Sequence, residues 1–337
     1  MATGDVIRIQ HNNMRAHVGL LLLLLLFWLP IDLYAESKTQ DCVECHPDFK
    51  HKDLRLADEN ACDSCHRDLQ DQHQKQQSIK SKDKPLTEPK LGLSMPQYYA
   101  DSRIGADPNS MISIPAGEFI MGTNGRLPDE GPEHSVNLPG FQIDKYEVTN
   151  LQYKKFIDDT GRRSPKHFRN RTFPEGKADH PVTYVSWKDA NAYCQWAGKR
   201  LPTDQEWEKA ARGVDGRFFP WGNEFEIANA NTPVRWTYLK IDGDTTPVGA
   251  FEAGKSPYGL YDMSGNVWEW TASWYQAYPG NTHLTENYGQ KYKTLKGGSW
   301  WDCSFYQCGI SAPVYNRSFF LRSTKNSSFG FRCAKNE

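Results

Sequence analysis

Cysteine is the residue type whose spacing in this chain is most informative. The eight cysteines fall into an early set of four and a late set of four. The early set forms two copies of the pattern C-x-x-C-H, in which two thiols can add to the vinyl groups of haem while the next imidazole ligates the iron. The sequence therefore predicts two covalent c-type haems, one on Cys42, Cys45 and His46 and one on Cys62, Cys65 and His66.

The same four cysteines also fit a zinc ribbon, so the haem assignment depends on their surroundings. A zinc site of four thiolates needs no histidine after each pair, whereas both pairs here have one. His51 and His73 follow the two motifs and are the predicted distal haem ligands, with Met95 or an exchange of ligands between the sites as the alternative. Residues 36–75 contain few apolar side chains, so the haems would form the core of this segment.

The amino terminus has the order of features found in a secretory signal peptide. Arg8 and Arg15 precede an apolar run at residues 18–29, and the small residue Ala35 follows it. The run is shorter than the roughly 20 residues needed to cross a bilayer, which favours cleavage over a permanent anchor. We therefore expect residues 1–35 to be removed and the rest of the chain to be exported to the periplasm, where disulfides persist.

Charge and composition exclude several classes of function. The chain has 40 Lys+Arg against 41 Asp+Glu, so no basic field indicates a nucleic-acid partner. The mean hydropathy is −0.72, so we expect no membrane segment beyond the amino-terminal run. Residues 76–108 are rich in lysine, glutamine and proline, which is typical of a linker between the haem segment and a larger domain.

The larger domain begins near Met111, where short apolar segments predict strands over residues 111–115, 117–122 and 141–148. Capping signals predict three helices, from Thr149 to Gly161, from Ser186 to Gly198 and from Thr203 to Gly213. In the third, Thr203 and Glu206 form a capping box. Beyond Phe218 the sequence is rich in Gly, Pro, Asn and Trp and has little periodicity. We therefore expect a core of large aromatic side chains held by loops.

Seven motifs occur in order along this domain, and they lie at Met111–Gly122, His180–Trp187, Ala197–Thr203, Phe219–Asn223, Tyr258–Trp270, Lys296–Trp300 and Phe329–Ala334. With these motifs, residues 109–335 resemble the formylglycine-generating enzyme (sulfatase-modifying factor) family. The resemblance implies an α+β domain over residues 109–337 with the C-type-lectin-like fold of that family and low regular secondary structure. The wider superfamily includes several chemistries, so the fold alone does not determine the reaction.

In the formylglycine-generating family, two cysteines near the carboxyl end bind Cu(I), and the copper activates O2. Cys303 and Cys308 keep the family's C-x4-C spacing after a Gly-Gly-Ser motif, and two thiolates suit Cu(I). The resemblance implies a copper site on this pair, with Ser299 positioning substrate or oxygen. A Cys303–Cys308 disulfide is the alternative. Ser304 stands where the family has histidine, and the basic stretch after the second cysteine is missing, so we expect peptide recognition to differ.

The resemblance also implies structural features elsewhere in the domain. It pairs Cys194 with Cys333 in a disulfide. It also implies two sets of calcium ligands, all of them the hard oxygen donors that calcium takes. The alternative for Asp262 and Glu269 is an ordinary hydrogen-bonded pair. The first set is Asp262, Gly265, Val267 and Glu269, and the second is Asn231 and Thr232 with Asp242 or Asp244. The remaining histidines His134, His167, His180 and His283 show no metal-ligand spacing and receive no role.

Together these features predict an exported oxidase that converts a cysteine of a protein substrate, such as a sulfatase, to formylglycine. Its two haems would supply two electrons, and a redox partner would recharge them. Two alternatives remain open. In one, the large domain only binds a partner protein while the haems transfer electrons; in the other, the oxidase acts on a different side chain or on a small thiol.

Overall fold

The computed structural model describes residues 110–301 and 312–337. The predicted signal peptide, haem segment and linker therefore lie outside the described residues, as do Cys303 and Cys308. Within the part of the chain that is described, no helix is long and apolar enough to span a membrane.

The strands of the described residues are short and form three small sheets. They are β1 (Met111–Ile114), β2 (Gly117–Met121), β3 (His134–Leu138), β4 (Phe141–Asp144), β5 (Trp268–Trp274), β6 (Lys293–Lys296), β7 (Arg317–Phe320), β8 (Phe329–Gly330) and β9 (Ala334–Asn336). One antiparallel sheet has the order β1-β4-β9, and β2 pairs with β3 in a second. The third sheet has the order β7-β6-β5-β8, in which only the β5 and β8 pair is parallel.

Helices α1 (Asn150–Thr160), α2 (Trp187–Trp196) and α3 (Asp204–Arg212) confirm the three helices predicted from capping residues. Each begins after a Ser or Thr whose side chain accepts a hydrogen bond from the backbone of the third helical residue, which satisfies an otherwise unpaired donor. The C-cap of α2 is Ala197, one residue before the predicted Gly198. A fourth helix among the described residues, α4 (Pro233–Leu239), was not predicted. The domain is thus a mixture of helix and sheet with little regular structure, as expected.

One predicted strand is shorter than expected. The strand predicted over residues 141–148 ends at Asp144. The Asp144 carboxylate is buried, where it pairs with Lys199 at 2.5 Å and accepts a hydrogen bond from the Cys333 backbone at 2.9 Å. The strand ends here because β1 begins at Met111, opposite Asp144, and β9 begins at Ala334, opposite Ile143, so neither neighbouring strand pairs with residues 145–148.

The main core is rich in aromatic rings, as expected from the sequence. Tyr153 and Phe156 of α1 pack against Tyr193 of α2, and their ring centroids are 5.3 to 5.7 Å apart. Phe331 meets Tyr193 edge to face at 5.4 Å. Trp270 of β5 lies in the same core and donates its indole N–H to the carbonyl of Val185 at 3.0 Å, which satisfies its buried polar atom.

The disulfide between Cys194 and Cys333, which the resemblance implied, is confirmed. The two Cα atoms are 5.7 Å apart, and both cysteines are completely buried in the main core. The bond joins α2 to the residue just before β9, across 139 positions of sequence. It therefore ties the carboxyl-terminal strand to the helical side of the core.

A fully buried ion cluster joins α3 to the end of β6. The Glu208 carboxylate lies 3.0 Å from the Arg212 guanidinium and 2.8 Å from the Lys296 ammonium, and none of the three side chains is exposed. Glu208 also accepts a hydrogen bond from the Gly122 backbone at 2.7 Å. Burial opposes the charged form, but Lys296 and Arg212 outweigh it and lower the pKa of Glu208 below its ordinary value.

We expect Glu208→Gln to lower the free energy of unfolding by about 3–5 kcal/mol, because the change leaves two buried cations without a counter-charge. Urea unfolding followed by tryptophan fluorescence measures the difference. The matched control is Asp215→Asn, which breaks an ion pair with Arg217 whose aspartate side chain is 54% exposed. That control should lower the free energy of unfolding by less than about 1 kcal/mol. Equal costs for the two variants would contradict the assigned role of the cluster.

Candidate functional site

The Gly-Gly-Ser motif forms a turn directly after β6. Gly297 and Gly298 have φ angles of 97° and 73°, in the region that favours glycine. A Cβ atom on Gly297 would lie 3.0 Å from the ring of Trp207, so the turn packs tightly on α3. The Gly297 carbonyl accepts a hydrogen bond from the Gly265 backbone at 2.7 Å. The direction in which the chain leaves β6 is therefore set by two glycines and one buried tryptophan.

Ser299, predicted to position substrate or oxygen, is buried at the end of this turn. Its hydroxyl donates to the carbonyl of Trp301 and accepts a hydrogen bond from the Trp301 backbone at 3.2 Å. The hydroxyl is thus bound within its own turn, an arrangement that fixes the backbone leading to the cysteine pair.

Both ends of the segment 302–311 are held by the same loop, residues 262–267. On one side, the Trp300 backbone donates to the carbonyl of Asn266 at 2.9 Å. On the other, the Ser264 hydroxyl donates to the carbonyl of Ala312 at 2.5 Å. Cys303 and Cys308 belong to the segment between these anchors and lie outside the described residues, as do the predicted haem ligands.

Next to the Gly-Gly-Ser turn lies a short turn formed by residues 326–328. The Trp300 indole donates to the carbonyl of Ser327 at 3.4 Å, and the Trp268 backbone donates to the carbonyl of Ser328 at 2.8 Å. The Asn326 carbonyl accepts the backbone N–H of Tyr184 at 2.8 Å. Tyr184 has a φ of 55°, a conformation uncommon for a bulky residue. We call Tyr184, Trp300 and residues 326–328 together the site wall.

The first predicted calcium set lies on one continuous segment that ends in β5. The Asp262 carboxylate accepts a hydrogen bond from the Gly249 backbone at 2.7 Å, while Gly265 and Val267 are buried beside it. Glu269 is engaged differently. Its two carboxylate oxygens accept bidentate hydrogen bonds from Arg332, both at 2.7 Å, and one of them also accepts the Trp207 indole N–H at 2.9 Å.

Sequence reasoning missed Glu147, which joins this set in the structure. Glu147 accepts a hydrogen bond from the Asn266 amide at 3.0 Å, and its other carboxylate oxygen is buried without a hydrogen-bond partner. Burial raises the pKa of Asp262 to about 6. Burial and then the neighbouring Asp262 raise the pKa of Glu147 well above its ordinary value. The available signal was an acidic residue between the apolar residues Tyr146 and Val148, at the end of the predicted strand over residues 141–148.

The second predicted calcium set is only partly brought together. The Asn231 backbone carbonyl accepts a hydrogen bond from the Asn266 backbone at 2.8 Å, which links it to the first set. The Asn231 amide oxygen and the Thr232 hydroxyl are buried without hydrogen-bond partners. The Asn231 amide donates to the backbone carbonyl of Asp244 at 2.9 Å, while the Asp244 carboxylate pairs with Lys177 at 2.7 Å. Asn231, Thr232 and Asp244 therefore lie together, whereas Asp242 is exposed.

The side chains of the two sets provide one argument for calcium binding and one against it. The unpaired oxygens of Glu147 and Asn231 are hard donors of the kind that calcium takes. The Glu269 charge, however, is already balanced by Arg332. Among the described residues, no three His, Cys, Asp or Glu side chains converge in a metal-binding arrangement. Calcium at these residues stays a prediction.

The described residues form a mixed helix and sheet domain with little regular structure, in which the Gly297–Ser299 turn precedes the predicted cysteine site. A family model, the sulfatase-modifying factor enzyme 1-like domain, matches residues 100–337. The chain belongs to this family.

Relatives of this chain include both active and inactive members by name. The chain is 34% identical over 278 residues to "Inactive C-alpha-formylglycine-generating enzyme 2" of Mus musculus, covering 67% of this chain and 85% of that protein. It is 33% identical over 287 residues to "Formylglycine-generating enzyme" of Bos taurus, covering 67% and 75%. Among solved structures, PvdO from Pseudomonas aeruginosa is similar with a TM-score of 0.53 and 28% identity, covering 67% of this chain and 94% of that one.

We expect Gly297→Ala to lower the free energy of unfolding by about 1–3 kcal/mol, because alanine at a positive φ is strained and its Cβ would press on Trp207. The matched control is Gly125→Ala, where the nearest atom to an added Cβ is 3.8 Å away. Thermal unfolding of both variants makes the comparison. A Gly297→Ala protein as stable as the control would show that the turn does not need glycine.

Two buried histidines predict acid sensitivity. Burial, and after it Lys177, lowers the pKa of His180 to about 3 and that of His167 to about 4. A histidine with a lowered folded-state pKa contributes stability that is present above the unfolded value of 6.5 and is lost as pH falls below it. We expect the free energy of unfolding to fall as pH drops from about 6.5 to about 3, the folded-state pKa of His180. His180→Asn should flatten this slope, and the exposed His283→Asn should leave it unchanged.

Proposed function

We propose that this chain oxidises a cysteine side chain of a protein substrate to formylglycine. The observation that carries the proposal is the Gly297–Ser299 turn, which a buried ion pair and a buried tryptophan fix in place immediately before the cysteine pair. Membership of the sulfatase-modifying factor family supports the same reaction. The Cys194–Cys333 disulfide uses the other two late cysteines, which supports a separate role for Cys303 and Cys308.

Copper is the cofactor that the cysteine pair fits by its donor chemistry. Cys303 and Cys308 would hold Cu(I), because two thiolates suit this soft cation, and the bound metal would supply activation of O2. The described residues contribute rigidity. The 262–267 loop holds the residues on both sides of the cysteine-bearing segment, through Trp300 and Ala312.

The electron balance of the reaction matches the predicted haem segment. Conversion of one cysteine thiol with one molecule of O2, two electrons and two protons yields one aldehyde, one hydrogen sulfide and one water. The carbon that carries the thiol is oxidised to the aldehyde while O2 is reduced. The haems held by the C-x-x-C-H motifs at Cys42–His46 and Cys62–His66 would supply the two electrons, and a redox partner in the periplasm would replace them.

A second candidate function is that of a family member without oxidase activity. A relative at 34% identity is named as inactive. In this candidate the large domain binds a partner protein while the haems transfer electrons.

We expect Cu(I)-loaded protein to convert the cysteine of a Cys-x-Pro-x-Arg peptide, or of a peptide with another flanking sequence, to an aldehyde detected by mass spectrometry. Cys303→Ser and Cys308→Ser should each abolish conversion and copper binding, because a single thiolate is a poor Cu(I) site. The matched control is Ser135→Ala, at an exposed position of β3. Bound copper with no conversion of any cysteine peptide would favour the second candidate.

We also expect the reduced haems to become oxidised as substrate turns over, with two electrons consumed per aldehyde formed. Visible absorption of the haem bands under O2 follows the oxidation, and the same mixture without peptide is the control. Haems that remain reduced while aldehyde accumulates would show that the electrons come from another donor.

A further inference from the structure

Residues 162–171 form a loop with a concentrated positive charge. The loop contains five arginine or lysine residues and no aspartate or glutamate, although the chain as a whole has a net charge of −1. The charge is therefore a local property of this loop and not a consequence of overall composition.

The loop is held in place by its own contacts. Phe168 is buried in the main core, and Arg169 and Thr172 exchange two backbone hydrogen bonds of 2.8 Å. The Arg171 guanidinium donates to the carbonyls of Ile157 and Arg162, at 2.5 and 3.0 Å, and so closes the carboxyl end of α1. A loop with a fixed backbone presents its remaining side chains at little cost in conformational entropy.

The five basic residues divide into two groups. Arg171 is used to hold the loop, and Arg162 lies 3.8 Å from the Asp189 carboxylate. Arg163, Lys166 and Arg169 are exposed and make no ion pair with any residue that the structure describes. Three exposed positive charges of this loop therefore have no ion-pair partner among the described residues.

The loop adjoins the site wall. The Lys166 ammonium lies 5.8 Å from the centre of the Tyr184 ring, and the His167 ring is 5.7 Å from it. Tyr184 donates its backbone N–H to Asn326, in the turn that accepts the Trp300 indole. The basic loop is thus connected to Trp300, the residue that follows Ser299, through three successive contacts, by way of Tyr184 and the 326–328 turn.

We propose that residues 162–171 bind acidic side chains flanking the reactive cysteine of the protein substrate. The inference rests on the proposed function and specifies, in addition, that the substrate is acidic around its reactive cysteine. Exposed cations at the edge of a site attract anionic groups and disfavour cationic ones, so they act mainly on selection between substrates. The loop therefore favours acidic segments over the basic flank of a Cys-x-Pro-x-Arg peptide.

The test measures binding of three peptides by isothermal titration calorimetry. All carry serine in place of cysteine, so that binding is independent of oxidation, and their flanks are acidic, glutamine-rich or lysine-rich. The full chain should bind the acidic peptide about tenfold more tightly than the glutamine peptide at low salt, and the difference should shrink at about 0.5 M salt.

The test variant is Arg163→Gln, Lys166→Gln and Arg169→Gln together. The matched control removes the same charge at exposed lysines on other elements, as Lys240→Gln, Lys291→Gln and Lys335→Gln. The test variant should lose the preference for acidic flanks, and the control should keep it. Equal binding of all three peptides, or a preference that survives in the test variant, would overturn the proposal.

Two further measurements complete the test. Vesicles containing phosphatidylglycerol that bind through the loop more tightly than the acidic peptide would assign it to a membrane and overturn the proposal. Mass spectrometry on the corresponding cysteine peptides separates this inference from the proposed function. Conversion without a charge preference overturns the inference alone, whereas a preference without conversion overturns the oxidase alone.

Discussion

The pairing of Glu208 with Lys296 and Arg212 is the interaction on which the site depends most directly. Lys296 is the last residue of β6, and Gly297 follows it immediately. The ion cluster fixes the end of that strand against α3, and Trp207 of the same helix packs on the glycine that begins the turn. A buried cluster of this kind is not a large source of stability, but loss of one partner is costly, so it holds a single arrangement.

The same principle recurs across the domain. Asp144 is held by Lys199 and by the Cys333 backbone, and Glu269 is held by Arg332 and Trp207. In each case a buried charge has several partners from distant parts of the chain, which compensates for the small amount of regular structure. The loops of the site are therefore positioned by polar contacts and aromatic packing more than by strands.

Much of the local structure could be predicted because it depends on neighbouring residues. Thr149, Ser186 and Thr203 begin helices since each can accept a backbone hydrogen bond three residues ahead. Helix α4 was missed because no side chain caps it and its flanking sequence lacks periodicity. The strand predicted as far as Val148 was too long, since neither of its neighbours in the sheet, β1 and β9, pairs with it beyond Asp144.

By itself the sequence determined the helix caps, the cysteine motifs and, through the family resemblance, the Cys194–Cys333 disulfide. Only the tertiary structure decided that Glu147 lies with Asp262, that Arg332 neutralises Glu269, and that the basic loop adjoins the site wall. The reason is the range of the forces involved. Capping and turn rules act over three or four residues, whereas Arg332 and Glu269 are 63 positions apart and Asn266 and Glu147 are 119 apart. Which buried charges meet at such separations depends on how the whole chain packs.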